Sequence, residues 1–384
     1  MPCQARAVDT PISGHCDERF ASVRDAFAGN FAERGEVGAA VCVIIDGELV
    51  IDLVGGHADE GREWTHDTIV DVYSVGKAIV ATLVLQLVDD GAIELDQPIA
   101  TFWPEFAAGG KETATVRMAL CHQAGVPAIR QPLTNDDLRD WERMTSALAA
   151  TEAWFEPGSR HIYHTNTYGH LNGEIVRRIT GQTPGERLRE RAGALGADIW
   201  VGVPIGEQPR CAFVHWAPAR PLGAPDFSAL EGEALMLALG YTNPPGYSSN
   251  GIVNSELWRS SQVPSTNTHA SASGIARWYS AIIGAGTDPL VSPGLVAEAS
   301  RVQRTEFCPV LGEEVSFGLG YVRTNERRPL GTNPNSFGHF GTGGALGFAD
   351  PDIGLAFGYA MNHVIPRWQS TRNRALIDEL YRCL

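Results

Sequence analysis

Between Asp71 and Asp89 the chain carries a single charge, Lys77, inside a run that is otherwise apolar, small or uncharged. On a helical period Val75, Ile79, Leu83 and Leu87 form one stripe, with Val80, Val84 and Val88 beside it and Leu85 outside both. A helix that is apolar nearly all round has to be covered on every side. Residues 75–88 therefore predict a central helix around which the other elements pack. Asp89-Asp90-Gly91 predicts its end, with Gly91 as the residue after the cap.

Ser74 stands at the mouth of that helix, three residues before Lys77. This spacing puts both on one helix face, with Cβ atoms roughly 5–6 Å apart. The chain has two lysines, Lys77 and Lys111, against twenty-eight arginines. Arginine stays protonated in proteins, whereas a lysine in an apolar site can lose its proton and act as a base. A serine and a lysine three apart also arise by chance, and scarcity of lysine can reflect codon usage. The placement at the head of a buried helix is what marks this pair as a candidate nucleophile and base.

At 384 residues the chain exceeds the usual size of a single core, which predicts two lobes. Its formal charge of −15 argues against nucleic acid or an anionic membrane as partner. Seven scattered cysteines with no Cys-x-x-Cys pair indicate neither a disulfide framework nor a zinc site, and Cys42 and Cys121 read as small core residues. The eleven histidines show no His-x-x-x-His on a helix, and no cofactor or metal is expected. Met1 to Arg6 lacks a basic stretch followed by an apolar one, and no apolar run reaches about 18 residues. The expected compartment is the cytoplasm. Nothing in the sequence sets an oligomeric state.

Residues 1–15 read as a loose lead-in and 16–34 as a helix with Phe20, Val23, Phe27 and Phe31 on one face. Residues 38–45 and 48–54, β-branched runs around Asp46-Gly47, predict a hairpin. From residue 93 to about 260 short helices alternate with Pro/Gly loops, at 116–122, 136–150, 168–180, 184–192 and 229–239, with 199–203 the one strand candidate. A helix over 269–284 follows, then strands over 316–323, 336–340, 345–349 and 355–361 and an amphipathic helix over 366–384. Strands at both termini with helices between them predict an α/β fold of the α+β type. Its sheet is largely antiparallel, assembled from 1–92 and 261–384, with 93–260 as a helical, loop-rich insertion.

Two further stretches carry chemistry. The loop 157–166 is dense in polar groups, and Tyr163 within it is a candidate proton carrier. A phenol near pKa 10 needs neighbouring positive charge to serve as a base, which Lys77 would supply. Taken alone, a tyrosine in such a loop is more often an ordinary half-buried side chain. The stretch Phe337-Gly338-His339-Phe340-Gly341-Thr342-Gly343-Gly344 reads as a strand ending in glycine-rich backbone that lets a substrate approach. His339 there is a candidate for binding a carboxylate or donating a hydrogen bond, or else merely caps a turn.

Ser-x-x-Lys at 74–77, a tyrosine loop 89 residues later and a His-x-Gly strand near the C-terminus together resemble the class C β-lactamase and penicillin-recognising group. The stretches 120–127, 163–169 and 338–351 are similar to its esterase branch, the family VIII carboxylesterases, and the resemblance spans roughly 16–384. It implies a β-lactamase/transpeptidase-like fold. Ser74 would be the acylated nucleophile, Lys77 its proton acceptor or the tuner of Tyr163, and Tyr163 the donor to the leaving alcohol. The backbone N–H groups of Ser74 and Thr342 would form the oxyanion hole beside Gly341, a stabilisation on the order of 3 kcal/mol per donor. Ile129 and Arg130 fall where the acyl pocket should be lined.

Two departures stand out. The Tyr-x-Asn of lactamases reads Tyr163-His164-Thr165 here, with Asn166 one place late, so that Thr165 and Asn166 are both candidates for substrate contact, and His339 replaces a lysine. Both point away from β-lactams and toward small, neutral esters. The expected activity is a serine carboxylesterase. The alternatives are an acyltransferase using the same acyl-enzyme, a weak β-lactamase or D-amino-acid peptidase, and a ligand-sensing module without turnover. An intact Ser74, Lys77 and Tyr163 speak against the last. An α/β-hydrolase is disfavoured because no Gly-x-Ser-x-Gly occurs.

Overall fold

The structure, a computed structural model, describes residues 10–216, 227–365 and 369–384. Its main sheet is antiparallel. In spatial order it runs Ile12–Cys16, Glu48–Asp59, Gly38–Ile45, Leu355–Met361, Leu346–Asp350, Phe337–Phe340, Val322–Arg323, Glu313–Phe317 and Arg304–Cys308. Both ends of the chain thus meet at its centre, where Leu355–Met361 pairs with Gly38–Ile45 from Leu355↔Ile45 to Met361↔Ala39. Asp46 and Gly47 both take positive φ, 50° and 85°, in the tight turn the Asp-Gly pair predicts.

The central strands are buried on both faces, so they read as unbroken apolar runs rather than alternating ones. Neighbours along Leu355–Met361 face opposite ways. Gly358 lies under helix Ala272–Ile282, where a Cβ would strike the Ala272 carbonyl. Tyr359, on the other face, donates to Glu36, which is paired at 2.7 Å with Arg372 of the C-terminal helix Thr371–Cys383. That helix packs on Ala21–Glu33, which buries Val23 and Phe27.

The serine helix, Val75–Asp89, is buried from Val75 through Leu87 and contacts both the strand Phe337–Phe340 and the helix Thr167–Thr180. Seven aliphatic side chains, Val75, Ile79, Val80, Leu83, Val84, Leu85 and Leu87, go inside with it. At about 1.5–3 kcal/mol each, their burial outweighs the several kcal/mol that hiding a lysine costs. The helix closes as its end signal predicts: Gly91 has φ 71°, its N–H donates to the Val88 carbonyl, and Ala92 N–H to that of Leu87.

Between residues 93 and 260 the regular elements among the described residues are mainly helices joined by loops, with Val116–Leu120, Trp141–Ala150, Thr167–Thr180, Pro184–Ala194 and Gly232–Thr242 close to the expected spans. The strand expected at 199–203 is Ile199–Trp200, joined through His269–Ala270 to Val70–Asp71, which leads into Ser74.

Several expectations are corrected. Part of the lead-in, Ile12–Cys16, is an edge strand on Glu48–Asp59, and the first α-helix starts only at Ala21. Residues 316–323 divide into Glu313–Phe317 and Val322–Arg323 around a turn. The strand Arg304–Cys308 and the helix Pro293–Ser300 were not anticipated. Edge strands expose alternate side chains and pair through backbone alone, so they leave no apolar pattern. The expected lead-in over 1–9 and the start of the last helix at 366–368 lie outside the described residues.

Candidate active site

Ser74 precedes the first turn of its helix, 6% exposed, and Lys77 is wholly buried behind it. Lys77 Nζ lies 3.1 Å from Ser74 Oγ, 2.6 Å from the Thr165 carbonyl and 2.9 Å from the Ser265 carbonyl. Burial drives its pKa well below the ordinary 10.5, with no carboxylate opposing. Gly76 makes this approach possible, because a Cβ there would strike the Pro264 carbonyl and the Thr268 hydroxyl. The segment that offers Ser265 therefore rests directly on the helix. Lys111 is also buried, donating to the Ala108 and Thr151 carbonyls, so the scarcity of lysine does not by itself single out Lys77.

The backbone entering Ser74 is strained. Tyr73 has φ 51° and is buried, a conformation worth on the order of 1–3 kcal/mol of strain that neighbours must hold. Asp71 holds it: one carboxylate oxygen accepts the Tyr73 N–H at 2.9 Å and the other the Trp258 indole N–H at 2.8 Å. Burial raises the Asp71 pKa to about 8 against those two bonds. Neither Asp71 nor Trp258 carried a motif in the sequence, and only the fold brings them together.

Tyr163 packs beside the pair, with Lys77 Nζ 4.8 Å from its ring centroid. Burial pushes the phenol well above 10, and hydrogen bonding with Ser74 works the other way. The expectation of a lowered phenol pKa is not met: burial dominates, Ser74 and Arg328 work against it, and Lys77 is itself driven toward the neutral form.

His339 closes the group, its ring 6.2 Å from that of Tyr163. Nδ1 lies 2.8 Å from the Phe340 carbonyl, which can only accept, so the ring proton sits at Nδ1. Burial lowers its pKa to about 3. A neutral ring in this tautomer has no N–H at Nε2 to give a carboxylate, which removes the expected role as anchor or donor.

The glycine turn is brought against the nucleophile strand: a Cβ on Gly341 would strike the Val72 carbonyl. Arg372 Nη2 donates to the Gly343 carbonyl and Asn373 Nδ2 to that of Gly344, both at 2.8 Å, so the C-terminal helix holds the turn. Among the described residues neither the Ser74 nor the Thr342 backbone N–H donates to a protein acceptor.

The remaining candidates divide. Thr165 supplies the carbonyl to Lys77 and is hydrogen-bonded to Tyr241, a residue without a sequence signal. Asn166 is fully buried; its amide donates to the Gly240 carbonyl and Ser248 Oγ at 2.7 Å each, and its oxygen accepts from Thr266. It is committed to the protein rather than to a substrate. Ile129 is buried in the main core, while Arg130 is exposed, its guanidinium 3.4 Å from the Trp154 ring centroid. Among the described residues no group of three or more metal-ligating side chains is assembled.

A Ser-x-x-Lys pair at the head of a buried helix, flanked by a tyrosine loop and a glycine turn on an antiparallel sheet, defines a β-lactamase-type serine site. Residues 23–382 match the family model described as Beta-lactamase, and the chain belongs to that family. It is 32% identical to Esterase/beta-lactamase LipL of Mycobacterium tuberculosis over 368 residues, 92% of this chain and 83% of that one. Among solved structures it is similar to a family VIII carboxylesterase, with TM-score 0.89 and 36% identity over 97% of this chain and 100% of the other. A penicillin-binding protein homologue from Caulobacter crescentus matches with TM-score 0.87 and 37% identity, over 97% and 100%.

Proposed function

We propose that the chain is a serine carboxylesterase acting on small or short-acyl esters through an acyl-enzyme at Ser74. The observation that carries this reading is the setting of Lys77. Two of its three oxygen neighbours, the Thr165 and Ser265 carbonyls, can only accept. A neutral amine that gives its two hydrogens to them turns its lone pair toward Ser74 Oγ, 3.1 Å away.

In acylation Lys77 takes the Ser74 proton as Oγ bonds to the ester carbon. The carbonyl oxygen gathers negative charge opposite the Ser74 and Thr342 N–H groups. Collapse breaks the bond to the alcohol oxygen, which receives the proton from Lys77 by way of the Tyr163 hydroxyl. Water then attacks the acyl carbon, giving up a proton along the same route. The Ser74 oxygen leaves and is reprotonated, and the carboxylic acid departs. The same acyl-enzyme handed to an alcohol or amine would make an acyltransferase.

The names of the relatives, an esterase/β-lactamase and a family VIII carboxylesterase, support ester hydrolysis. β-Lactam hydrolysis, to which the first name also points, is the second reading; the neutral His339 and the committed amide of Asn166 weigh against it. Under this proposal the site separates an α/β lobe, 1–92 and 261–384, from a helical lobe, 93–260. The free thiols at all six described cysteines fit a reducing compartment such as the cytoplasm.

Turnover of p-nitrophenyl acetate and butyrate beside nitrocefin, in wild type and Ser74→Ala, tests the proposal. Ester hydrolysis that disappears in Ser74→Ala is expected. Hydrolysis that persists there ends the mechanism, and strong nitrocefin turnover without esterase activity reverses the ranking.

A further inference from the structure

His122 lies outside the serine–lysine–tyrosine group, yet it touches the chain on both sides of the tyrosine. Its φ is 63°, a left-handed backbone that non-glycine residues seldom adopt. Its carbonyl accepts the Ile162 N–H at 3.2 Å, and its ring Nδ1 accepts the His164 N–H at 3.1 Å. The N–H between them, that of Tyr163, donates to Cys308 Sγ at 3.3 Å. All three amides across the tyrosine are therefore held, two of them by one residue.

The ring is held as firmly as the backbone. Its centroid lies 4.8 Å from that of the Tyr163 ring and 4.5 Å from that of Tyr168, with the Phe317 ring steeply inclined to it at 5.0 Å. Because Nδ1 accepts, the ring proton sits on Nε2 and the imidazole is neutral. Burial above all disfavours a second proton, which would also break the bond from the His164 N–H. A buried histidine often serves only to fill space. Here its carbonyl and its ring nitrogen converge on the residues either side of Tyr163.

We propose that His122 is the positioning residue for Tyr163, fixing the phenol where it relays the proton between Lys77 and the leaving alcohol. The inference rests on the esterase reading and on Tyr163 as proton carrier. It has a chemical signature. An ester of an acidic phenol expels its leaving group as the anion and needs little help from Tyr163. An ester of an alkyl alcohol needs a proton delivered as the bond breaks. Displacing the phenol slightly should thus slow acylation by alkyl esters far more than acylation by aryl ones, while deacylation, common to both, changes equally.

The test compares ethyl and p-nitrophenyl esters of one acyl group in wild type, His122→Gly, His122→Asn and Tyr163→Phe. Glycine and asparagine both tolerate the left-handed backbone, so the variants differ in whether an acceptor faces His164. His122→Gly should lower the single-turnover acylation rate on the ethyl ester about 10²-fold, with a much smaller loss of acylation rate on the aryl ester; deacylation, common to both esters, cancels from the comparison. His122→Asn, which restores an acceptor near the place of Nδ1, should recover most of that loss. Equal losses of acylation rate on both esters in His122→Gly, or no recovery in His122→Asn, overturn the positioning role. Tyr163→Phe with undiminished ethyl-ester turnover overturns the proton route itself, and this inference with it.

Discussion

Replacing Lys77 by arginine keeps a positive charge beside Ser74 but removes the group that can give up a proton. The native amine's hydrogen-bond neighbours among the described residues are neutral oxygens, at 2.6, 2.9 and 3.1 Å, and no carboxylate offsets its burial. A guanidinium there would be a buried charge without a counter-ion, and Ser74 would have nothing to receive its proton. Loss of a general base is typically worth 10²–10⁴ in rate. At 1.36 kcal/mol per tenfold this is about 3–5 kcal/mol of barrier. Lys77→Arg should therefore fall about as far as Lys77→Ala. Lys77→Met provides an uncharged control of similar length. It strips the donors from two carbonyls at about 1–3 kcal/mol each, so its melting temperature drops and rates are compared well below the transition. Single-turnover acylation by p-nitrophenyl butyrate, with the adduct on Ser74 read by intact mass, measures the step directly. An arginine variant that acylates within about tenfold of wild type, a difference of only 1.36 kcal/mol, would refute the base assignment and leave Lys77 as a source of charge alone.

Arg372→Met leaves Glu36 as a buried carboxylate without its partner and releases the Gly343 carbonyl. Breaking such a pair typically costs about 3–5 kcal/mol. Denaturant unfolding should show this, with partial recovery in Arg372→Met/Glu36→Gln; a change below about 1 kcal/mol would contradict the pairing. Asp71 gives a stability signal with pH. Its folded pKa, about 8, lies above the ordinary 3.8, so the folded state holds the proton more tightly. The stability this contributes is fully present below the lower value and is lost as pH rises to about 8. Melting temperature against pH should therefore decline less steeply across that window in Asp71→Asn than in wild type. Parallel profiles would show that the carboxyl is not protonated in the folded protein.

Much of the chain was legible because its signals are local. The apolar period of the serine helix, Gly91 at its end and Asp46-Gly47 in the hairpin each describe one element from its own residues. The outer strands Ile12–Cys16 and Arg304–Cys308 were not legible, since their side chains are largely exposed and their pairing is made by backbone. Asn166 looked available to a substrate in sequence, but a side chain's partners are set by segments distant along the chain. Here Gly240, Ser248 and Thr266 claim its amide.

Sequence alone determined that a hydroxyl and an amine would share one face at the head of an interior helix, because helical spacing enforces it. Tertiary structure decided what that amine is. Thr165, 88 residues away, and Ser265, 188 residues away, supply neutral carbonyls, and packing excludes water and carboxylates. Protonation follows from solvation and nearby charge, and both are properties of the assembled surroundings rather than of any short stretch of chain.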